Sequence, residues 1–519
     1  MEKEGLLLRI KRQINKDTEL HPLVRWQFRG GLAEKERRAW LFENVVDCKG
    51  RHYSYPVAVG ALAGSRYIYA VGMGCPVEEI DSKWAHALAN PIEPVLVDSG
   101  PVHEEVIQGE ALTRPGDGIE RFPVPISTPG FDNGPYFTCA HWLTKDIETG
   151  IRNTGNYRGQ IKSPTRIGFN VGQQQDGYFH WKKCRDKGIP LEGALIVGAP
   201  PSVSYAGVQK IPYGVDELTV AGGLVGEPIR LVKCKTVDLE VPAEAELVIE
   251  GIMPTDCIEP EGPFGESHGF IHPRRYNAFM DVTCITHRRD MVFVSFISQV
   301  TPSESSLIKK LGYEPLFMKF LREEGNIHSL KRVVLYEPLV NLRKLIILSM
   351  DKEKAPEAEV WRALHLASTF HSGVGKIVIA IDDDLDPENL DAVMWAMAYR
   401  MRPHKDIQIM SGMLKGHGPP FSRHDRVTGA PVADDSHLLI NALLKEPFPP
   451  VSLPKKEFME NAKKIWEELG LPELRPESPW FGYSLGDWDE ELEEEASLAL
   501  KGEHYKTGEK LAGQRVPSK

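Results

Sequence analysis

The stretch Ala245–His287, AELVIEGIMPTDCIEPEGPFGESHGFIHPRRYNAFMDVTCITH, sets two strand-like runs on either side of a tight turn that carries an acid at each end. AELVIEGIM and AFMDVTCITH are rich in Val, Ile, Phe and Thr and are punctuated by Pro and Gly, as buried strands are. Similar runs recur at close spacing between about residues 116 and 320: GALIVGAP (Gly193–Pro200), LTVAGGLV (Leu218–Val225), IRLVKCKT (Ile229–Thr236) and DMVFVSFISQ (Asp290–Gln299). Together they predict a β-rich barrel or sandwich over 116–320.

The flanks read differently. Residues 1–115 mix short apolar runs with turn signals, as in RRAWLFENVVDCKGRHYSYPVAVGAL, and predict a small α/β unit. The segment 321–455 alternates strand runs (LRKLIILSM, GKIVIAIDDD, KDIQIM) with helical runs (PEAEVWRALHLASTF, DPENLDAVMWAMAYRM). Pro and Asp open those helices, and strand–helix alternation implies a parallel sheet. After the proline-rich KEPFPPVSLP, residues 456–519 hold an amphipathic helix within KKEFMENAKKIWEELGL and a tail; that helix is expected to pack on a neighbouring subunit.

A chain of 519 residues exceeds one hydrophobic core, so two to four domains are expected. Hydrophobic residues at 41% and charged residues at 26% describe an ordinary globular chain. A net charge of -11 argues against a nucleic-acid partner, which demands basic surface to neutralise phosphates. Part of that charge lies in DWDEELEEE (Asp487–Glu495), a solvated helix face or tail. No run of about 18 apolar residues exists to span a bilayer, and charge is scattered through the first sixteen residues, so a cytoplasmic protein without membrane insertion is expected. The seven cysteines are dispersed with no C-x-x-C pair and read as core thiols.

Familiar catalytic signatures are missing: there is no G-x-S-x-G, no H-E-x-x-H, and no G-x-G-x-x-G after a strand. FHSGVGKIV imitates a phosphate-binding loop, but Phe370 stands where its first glycine belongs and Ile377 where Ser or Thr should follow Lys376. Other places hold chemistry instead. In EGPFGESHG, Gly262 and Gly265 allow a close turn, Pro263 stiffens it and Phe264 can anchor it, so Glu261 and Glu266 would face a common space. Two neighbouring, partly buried carboxylates favour keeping a proton on one of them, as a general acid requires; a pair of exposed turn acids is the plain alternative. In RNTGNYRGQ, Asn153 and Arg158 flank a glycine-containing segment whose N–H groups suit an anion. The run Gln173–Asp176 adds oxygen donors, which suit a hard divalent cation bridging a phosphate. Glu217 is read in the turn entering a strand, and Asp382–Asp384 as caps of the following helix.

The ordered series NTGNYR (Asn153–Arg158), P-x-GVDEL-x-x-AG (Pro212–Gly222), EGPFGE (Glu261–Glu266), KIVI-x-IDDDLDP (Lys376–Pro387) and MWAMAYRM (Met394–Met401) resembles the UbiD family of prenylated-flavin-dependent (de)carboxylases. The resemblance runs from about residue 35 to 450. It implies a central split β-barrel that binds prenylated FMN, between an N-terminal and a C-terminal α/β domain with a terminal oligomerisation helix. It implies reversible, non-oxidative decarboxylation of an aromatic, heteroaromatic or α,β-unsaturated acid through a covalent adduct with that flavin. Arg158, Glu261 and Glu266 match the catalytic network, with Glu266 as proton donor. Asn153, Thr154, Gly155, Tyr157, Arg158, Gln175, Glu217 and Lys376 match cofactor-binding positions, with Asn153, Gln175 and Glu217 as ligands of a divalent metal and K+ nearby.

The match departs at one ligand. Many relatives have histidine where this chain has Gln175, with His180 some residues on, so manganese, iron or magnesium all stay open. Ser267 and His268, with the segment SQVTPSESS from Ser298, are the expected substrate pocket, and their polarity points to a polar aryl or heteroaryl acid or a larger aryl conjugate. The implied partners are that acid, CO₂, a flavin prenyltransferase supplying the cofactor, and further copies of the chain in a homodimer or homohexamer. A non-catalytic scaffold subunit of a larger carboxylase, or a flavin carrier, is the alternative.

Overall fold

Along the central strands, neighbouring side chains enter two different cores. The computed structural model describes residues 1–517 apart from 174, 268, 341–343, 372–373, 414–434, 475–485 and 487. Leu195, Val197, Leu247, Ile249 and Met280 belong to one buried cluster, whereas Ala194, Ile196 and Val248 belong to another. Successive side chains of a strand point to opposite faces, so a sheet covered on both faces reads as an unbroken apolar run.

These strands form a ten-stranded sheet: β1 (Glu105–Gln108), β2 (Tyr136–Phe137), β3 (His141–Lys145), β4 (Arg152–Asn156), β5 (Gly159–Ser163), β6 (Arg166–Phe169), β7 (Leu191–Val197), β8 (Leu247–Met253), β9 (Glu259–Glu261) and β10 (Arg275–His287). Their order is β4-β3-β7-β8-β10-β6-β5-β2, with β1 and β9 also pairing with β10, and every pairing is antiparallel. The strand-rich centre is present as expected. Among the described residues no pairing joins β4 to β2, so the path stays open and no closed barrel forms. The register between β10 and β8 shifts between Glu250 and Gly251, and a Cβ on Gly251 would stand 2.3 Å from the Asp281 carbonyl oxygen.

One strand expectation is corrected. LTVAGGLV is helical: α2 (Glu217–Val225) follows α1 (Asp176–Asp186), and the Asp216 carboxylate caps α2 by accepting from the Leu218 N–H. Glu217–Leu224 are buried on all sides, so the run shows no helical periodicity to distinguish it from a strand. Two other runs serve smaller sheets. Arg230–Lys233 pairs with Glu240–Pro242 and Val95–Leu96, and Phe293–Val294 joins a sheet with Val57–Val59, Ala39–Phe42 and Leu7–Ile10.

The C-terminal part has a five-stranded sheet of β11 (Leu330–Leu335), β12 (Leu345–Met350), β13 (Ile377–Asp382), β14 (Ile407–Met413) and β15 (Asp435–Asn441), in the order β11-β12-β13-β15-β14. The β12–β13 and β13–β15 pairings are parallel as expected, and the edges β11 and β14 are antiparallel. Helix α3 (Glu304–Lys319) leads into this region, and α4 (Glu357–Thr369) and α5 (Leu390–Tyr399) cover opposite faces of its sheet. The expected role of Asp382–Asp384 is also corrected. Asn389 caps α5, while Asp382 and Asp384 grip the Arg400 guanidinium at 2.6 and 2.7 Å. The terminal helix is present as Lys456–Glu468, with no buried residue.

Candidate active site

The turn EGPFGE closes exactly where β9 ends. Its Gly262 has φ +96°, the left-handed region that favours glycine, and the backbone then enters a short hairpin in which Phe264–Gly265 pairs with Ile271–His272. Phe264 is buried and anchors the turn against Tyr136, ring centroids 4.4 Å apart. Glu261 therefore sits inside the sheet and Glu266 at the hairpin's far end.

Arg158 lies between them. It occupies the turn from β4 to β5, its guanidinium stacked 4.9 Å from the Phe264 ring centre. Its Nε donates to Glu261 Oε1 at 2.8 Å, and its Nη1 bonds Glu266 Oε1. The two acids thus face a common space, as expected, but with a cation between them. Burial works against the Arg158 charge, yet Glu266 and Glu261 outweigh it and hold the guanidinium above its ordinary pKa. The Glu261 side chain is 0% exposed, Arg158 8% and Glu266 29%, so only Glu266 opens to the outside of the network.

Sequence reasoning missed the groups that hold this network. Glu261 also accepts from Asn170 Nδ2 at 3.3 Å and from Asn277 Nδ2 at 3.2 Å. Asp132 accepts the Gly265 and Thr128 N–H groups at 3.2 and 2.6 Å, and burial pushes its pKa up to about 6. His272 and Arg275 stand beside Arg158 and Glu266: burial, then the charges of Arg275 and Arg158, lower His272 to about 4, and burial lowers Arg275. Asn170 follows a strand and Asn277 sits within one, where single polar residues give no pattern to read.

The expected cofactor residues gather along β4. Asn153 is buried and donates from Nδ2 to the Tyr157 hydroxyl at 3.5 Å. Thr154 donates its N–H to Glu217 Oε2 at 2.8 Å, and its own Oγ1 is buried without a partner. Burial, with the charges of Asp216 and Asp176, pushes Glu217 up to about 8 against the pull of the Thr154 N–H. Gly155 lies under the Tyr157 hydroxyl, which a Cβ would meet at 2.3 Å. Gln175 caps no N–H of α1; its Oε1 accepts from Gly172 N at 2.6 Å. His180 accepts or donates at Nδ1 with Thr144 Oγ1 at 2.9 Å.

The remaining expected residues lie apart or beyond view. Lys376 is at the start of β13, its ammonium held by both Asp435 oxygens at 2.7 Å. Ser267 follows Glu266 in the hairpin turn, and His268 lies outside the described residues. In SQVTPSESS, Val300 touches the hairpin tip, where a Cβ on Gly269 would come within 3.2 Å of it. Its serines do structural work: Ser303 caps α3 by accepting from Ser306 N.

Arg158 lies five residue steps after Asn153, up to about 16 Å of extended chain. At one end stand an amide oxygen, a buried carboxylate and the starts of two helices, which suit a cation and a phosphate. At the other stand a guanidinium and two acids. A long cofactor with an anionic tail and a reactive ring fits that division, and the unpartnered Thr154 Oγ1 and the uncompensated Glu217 are groups that such a ligand would satisfy. Among the described residues no three His, Cys, Asp or Glu side chains gather as a metal site, and no helix is long and apolar enough to cross a membrane.

Comparison with known proteins points the same way. Residues 95–300 match the family model of the 3-octaprenyl-4-hydroxybenzoate carboxy-lyase Rift-related domain, UbiD, and residues 306–434 match that of the C-terminal domain. The UbiD-class enzyme HmfF from Pelotomaculum thermopropionicum, in complex with FMN, is 31% identical over 89% of this chain and 97% of its own, with a TM-score of 0.76. An evolved dimeric form of HmfF, in complex with prFMN, gives a TM-score of 0.74 over the same coverage. Vanillic acid decarboxylase from Sedimentibacter hydroxybenzoicus, in its closed form, is 25% identical over 90% of this chain and 97% of its own, with a TM-score of 0.73. A phenolic acid decarboxylase of Bacillus subtilis is 26% identical over 84% of this chain and 92% of its own.

Proposed function

The chain belongs to the UbiD family of carboxy-lyases, and from that premise we propose that it decarboxylates an aromatic, heteroaromatic or α,β-unsaturated acid with prenylated FMN. The observation that carries the reading is Arg158 held between a fully buried acid, Glu261, and a partly exposed one, Glu266. The flavin supplies an acceptor for the electron pair that departing CO₂ leaves on an unsaturated carbon, a task no side chain performs.

The protein's own groups do the rest. Glu261 fixes Arg158, so its guanidinium presents Nη1 to Glu266 in one orientation. Glu266 delivers a proton to the carbon that loses CO₂ from the carboxyl oxygen Arg158 does not hold; run in reverse, it takes the proton back. Asn153, Thr154, Gly155, Tyr157 and Glu217 would hold the phosphate end through a divalent metal, with K+ nearby, and Ser267 would face the acid. The central segment 116–320 is the cofactor-binding part of this scheme, Lys376 a cofactor-binding residue, and the terminal helix, with Phe458, Ile465 and Trp466 exposed, the subunit contact. A flavin prenyltransferase in the same cytoplasm would supply the cofactor.

The test is CO₂ release from a panel of aryl, heteroaryl and acrylic acids by protein purified from a host that makes prenylated FMN. Release from at least one aryl or heteroaryl acid is the expected result. A colourless protein would identify a scaffold subunit, and a coloured protein inert with every acid a flavin carrier; either ends the decarboxylase reading.

A further inference from the structure

The N-terminal helix Leu20–Arg29, LHPLVRWQFR, buries Leu20, Val24 and Phe28 at four-residue spacing and sets a polar row beside them, His21, Arg25 and Arg29, at the same spacing. That row follows one segment of chain. His21 Nε2 meets Ser295 Oγ at 3.0 Å, Arg25 Nη1 donates to Gln299 Oε1 at 2.6 Å, and Arg29 Nη1 donates to the Thr301 carbonyl at 3.1 Å. Arg25 reaches a second segment as well: its Nη2 donates to the Ser127 carbonyl at 2.8 Å, with the Ser127 and Thr128 hydroxyls at 3.4 and 3.3 Å.

Both segments support the hairpin that carries Glu266. On one side Asp132 accepts the Thr128 N–H with Oδ2 and the Gly265 N–H with Oδ1, and a Cβ on Gly265 would meet the Thr128 hydroxyl at 2.4 Å. On the other side Val300, next to Gln299, stands 3.2 Å from the place of a Cβ on Gly269, and Gly269 closes the turn by donating its N–H to the Glu266 carbonyl at 2.9 Å. One planar guanidinium therefore ties together the two flanks of a turn that holds the partly exposed acid. Charge alternates along the same path. Asp132 feels Arg25 and Arg158 together, although burial outweighs both, and burial lowers Arg25 to about 10 while Asp132 pulls it back up, so Arg25 stays charged at neutral pH.

Resting on the decarboxylase reading above, we propose that Arg25 is a positioning residue for Glu266: its fork locks the 127–132 segment to the 299–301 segment and so holds the hairpin where Glu266 meets Arg158. A proton donor misplaced by about 1 Å can lose a factor of about 10² in rate. Glu266 stands on a turn rather than inside the sheet, so its placement depends on what grips that turn.

The experiment measures backbone hydrogen exchange by mass spectrometry on the full chain, comparing the hairpin 264–272 with strand β8 in the same molecule. Arg25→Met should speed exchange in the hairpin at least about tenfold and leave β8 within about twofold; Gln299→Met should act alike, and the double variant should be no faster than the stronger single one. With prenylated FMN bound, Arg25→Met should lower kcat at least about tenfold and keep KM within about twofold, because substrate still binds where the donor is misplaced. Should Arg25→Met fail to fold by far-UV circular dichroism, Arg25→Lys, which keeps the charge and loses the fork, takes its place with the same expectation. Native protection of the hairpin, loosening that spreads equally to β8, or native kcat from a loosened hairpin overturns the assignment. Exchange needs no turnover, so a native protein that decarboxylates nothing, with a hairpin that loosens in Arg25→Met, would sink the activity and leave the brace standing.

Discussion

Arg158 in the candidate site and Arg400 beside the C-terminal sheet both sit, largely buried, between two acids, and they are built for opposite ends. Arg400 is 2% exposed, Asp382 1% and Asp384 19%; Asp384 takes both Nη1 and Nη2, and Asp382 also accepts the Leu444 N–H at 2.7 Å. Around Arg158, Glu261 is secured in that way by Asn170 and Asn277. Glu266 is mounted on a hairpin turn and remains 29% exposed. A charge triad with both arms locked is a structural rivet; one with an arm at an opening can move a proton. The largest effect should therefore come from Glu266→Gln, which keeps the shape and removes the acid. Turnover should fall by about 10²–10⁴-fold or more, with flavin still bound, read as CO₂ release per bound flavin. Near-native turnover would erase the distinction between the two triads.

The converse variant is Arg400→Met. Removing one partner of a buried ion pair strands the other charges, so the native state should lose about 3–5 kcal/mol in denaturant unfolding. Turnover per folded molecule should not change. A loss of turnover without a loss of stability would make Arg400 part of the chemistry rather than of the scaffold.

Both triads left marks in the sequence, but unequal ones. EGPFGE was legible because a glycine at φ +96° and a buried aromatic anchor force the turn, and a turn fixes where its flanking acids go. Arg158 and Glu261 meet across 103 residues, a distance no periodicity bridges, and the motif series of the family alone joined them. Asp382–Asp384 read as helix caps because a cap is a local partner, whereas Arg400 is reached only through the fold. The same limit turned LTVAGGLV into a strand: complete burial removes the alternation that separates helix from strand.

Glu304 sharpens the comparison from a third side, as a buried acid with no arginine at all. Its carboxylate accepts N–H groups from Gly60 at 2.9 Å, Leu62 at 3.1 Å, and Ala63 and Ile297 at 3.3 Å, joining α3 to the N-terminal part. Burial outweighs those donors and raises it from 4.5 to about 7. The folded state then keeps a proton the unfolded chain has lost. The associated stability is complete below pH 4.5 and is lost as pH rises through 7, with a slope of at most about 1.4 kcal/mol per pH unit. Glu304→Gln removes that slope and turns an amide NH₂ against N–H donors, a cost of about 1–3 kcal/mol. The native lead over the variant should accordingly shrink between pH 4.5 and 7 in urea titrations. A constant gap would place the titration elsewhere.

The smallest expected effects test how Glu261 is locked. Its Oε1 is shared by Arg158 Nε at 2.8 Å and Asn170 at 3.3 Å, while its Oε2 receives Asn277 at 3.2 Å. Losing one of two donors on the same oxygen costs less than losing the donor on the other, because a buried carboxylate oxygen left bare pays its desolvation in full. Asn277→Ala should therefore cost about 1–2 kcal/mol in unfolding and Asn170→Ala only about 0.5–1 kcal/mol. Each should lower turnover far less than Glu266→Gln, since neither touches the open arm. Equal costs for the two asparagines would mean that Arg158 alone holds Glu261, and the candidate site would then be pinned more loosely than the triad around Arg400.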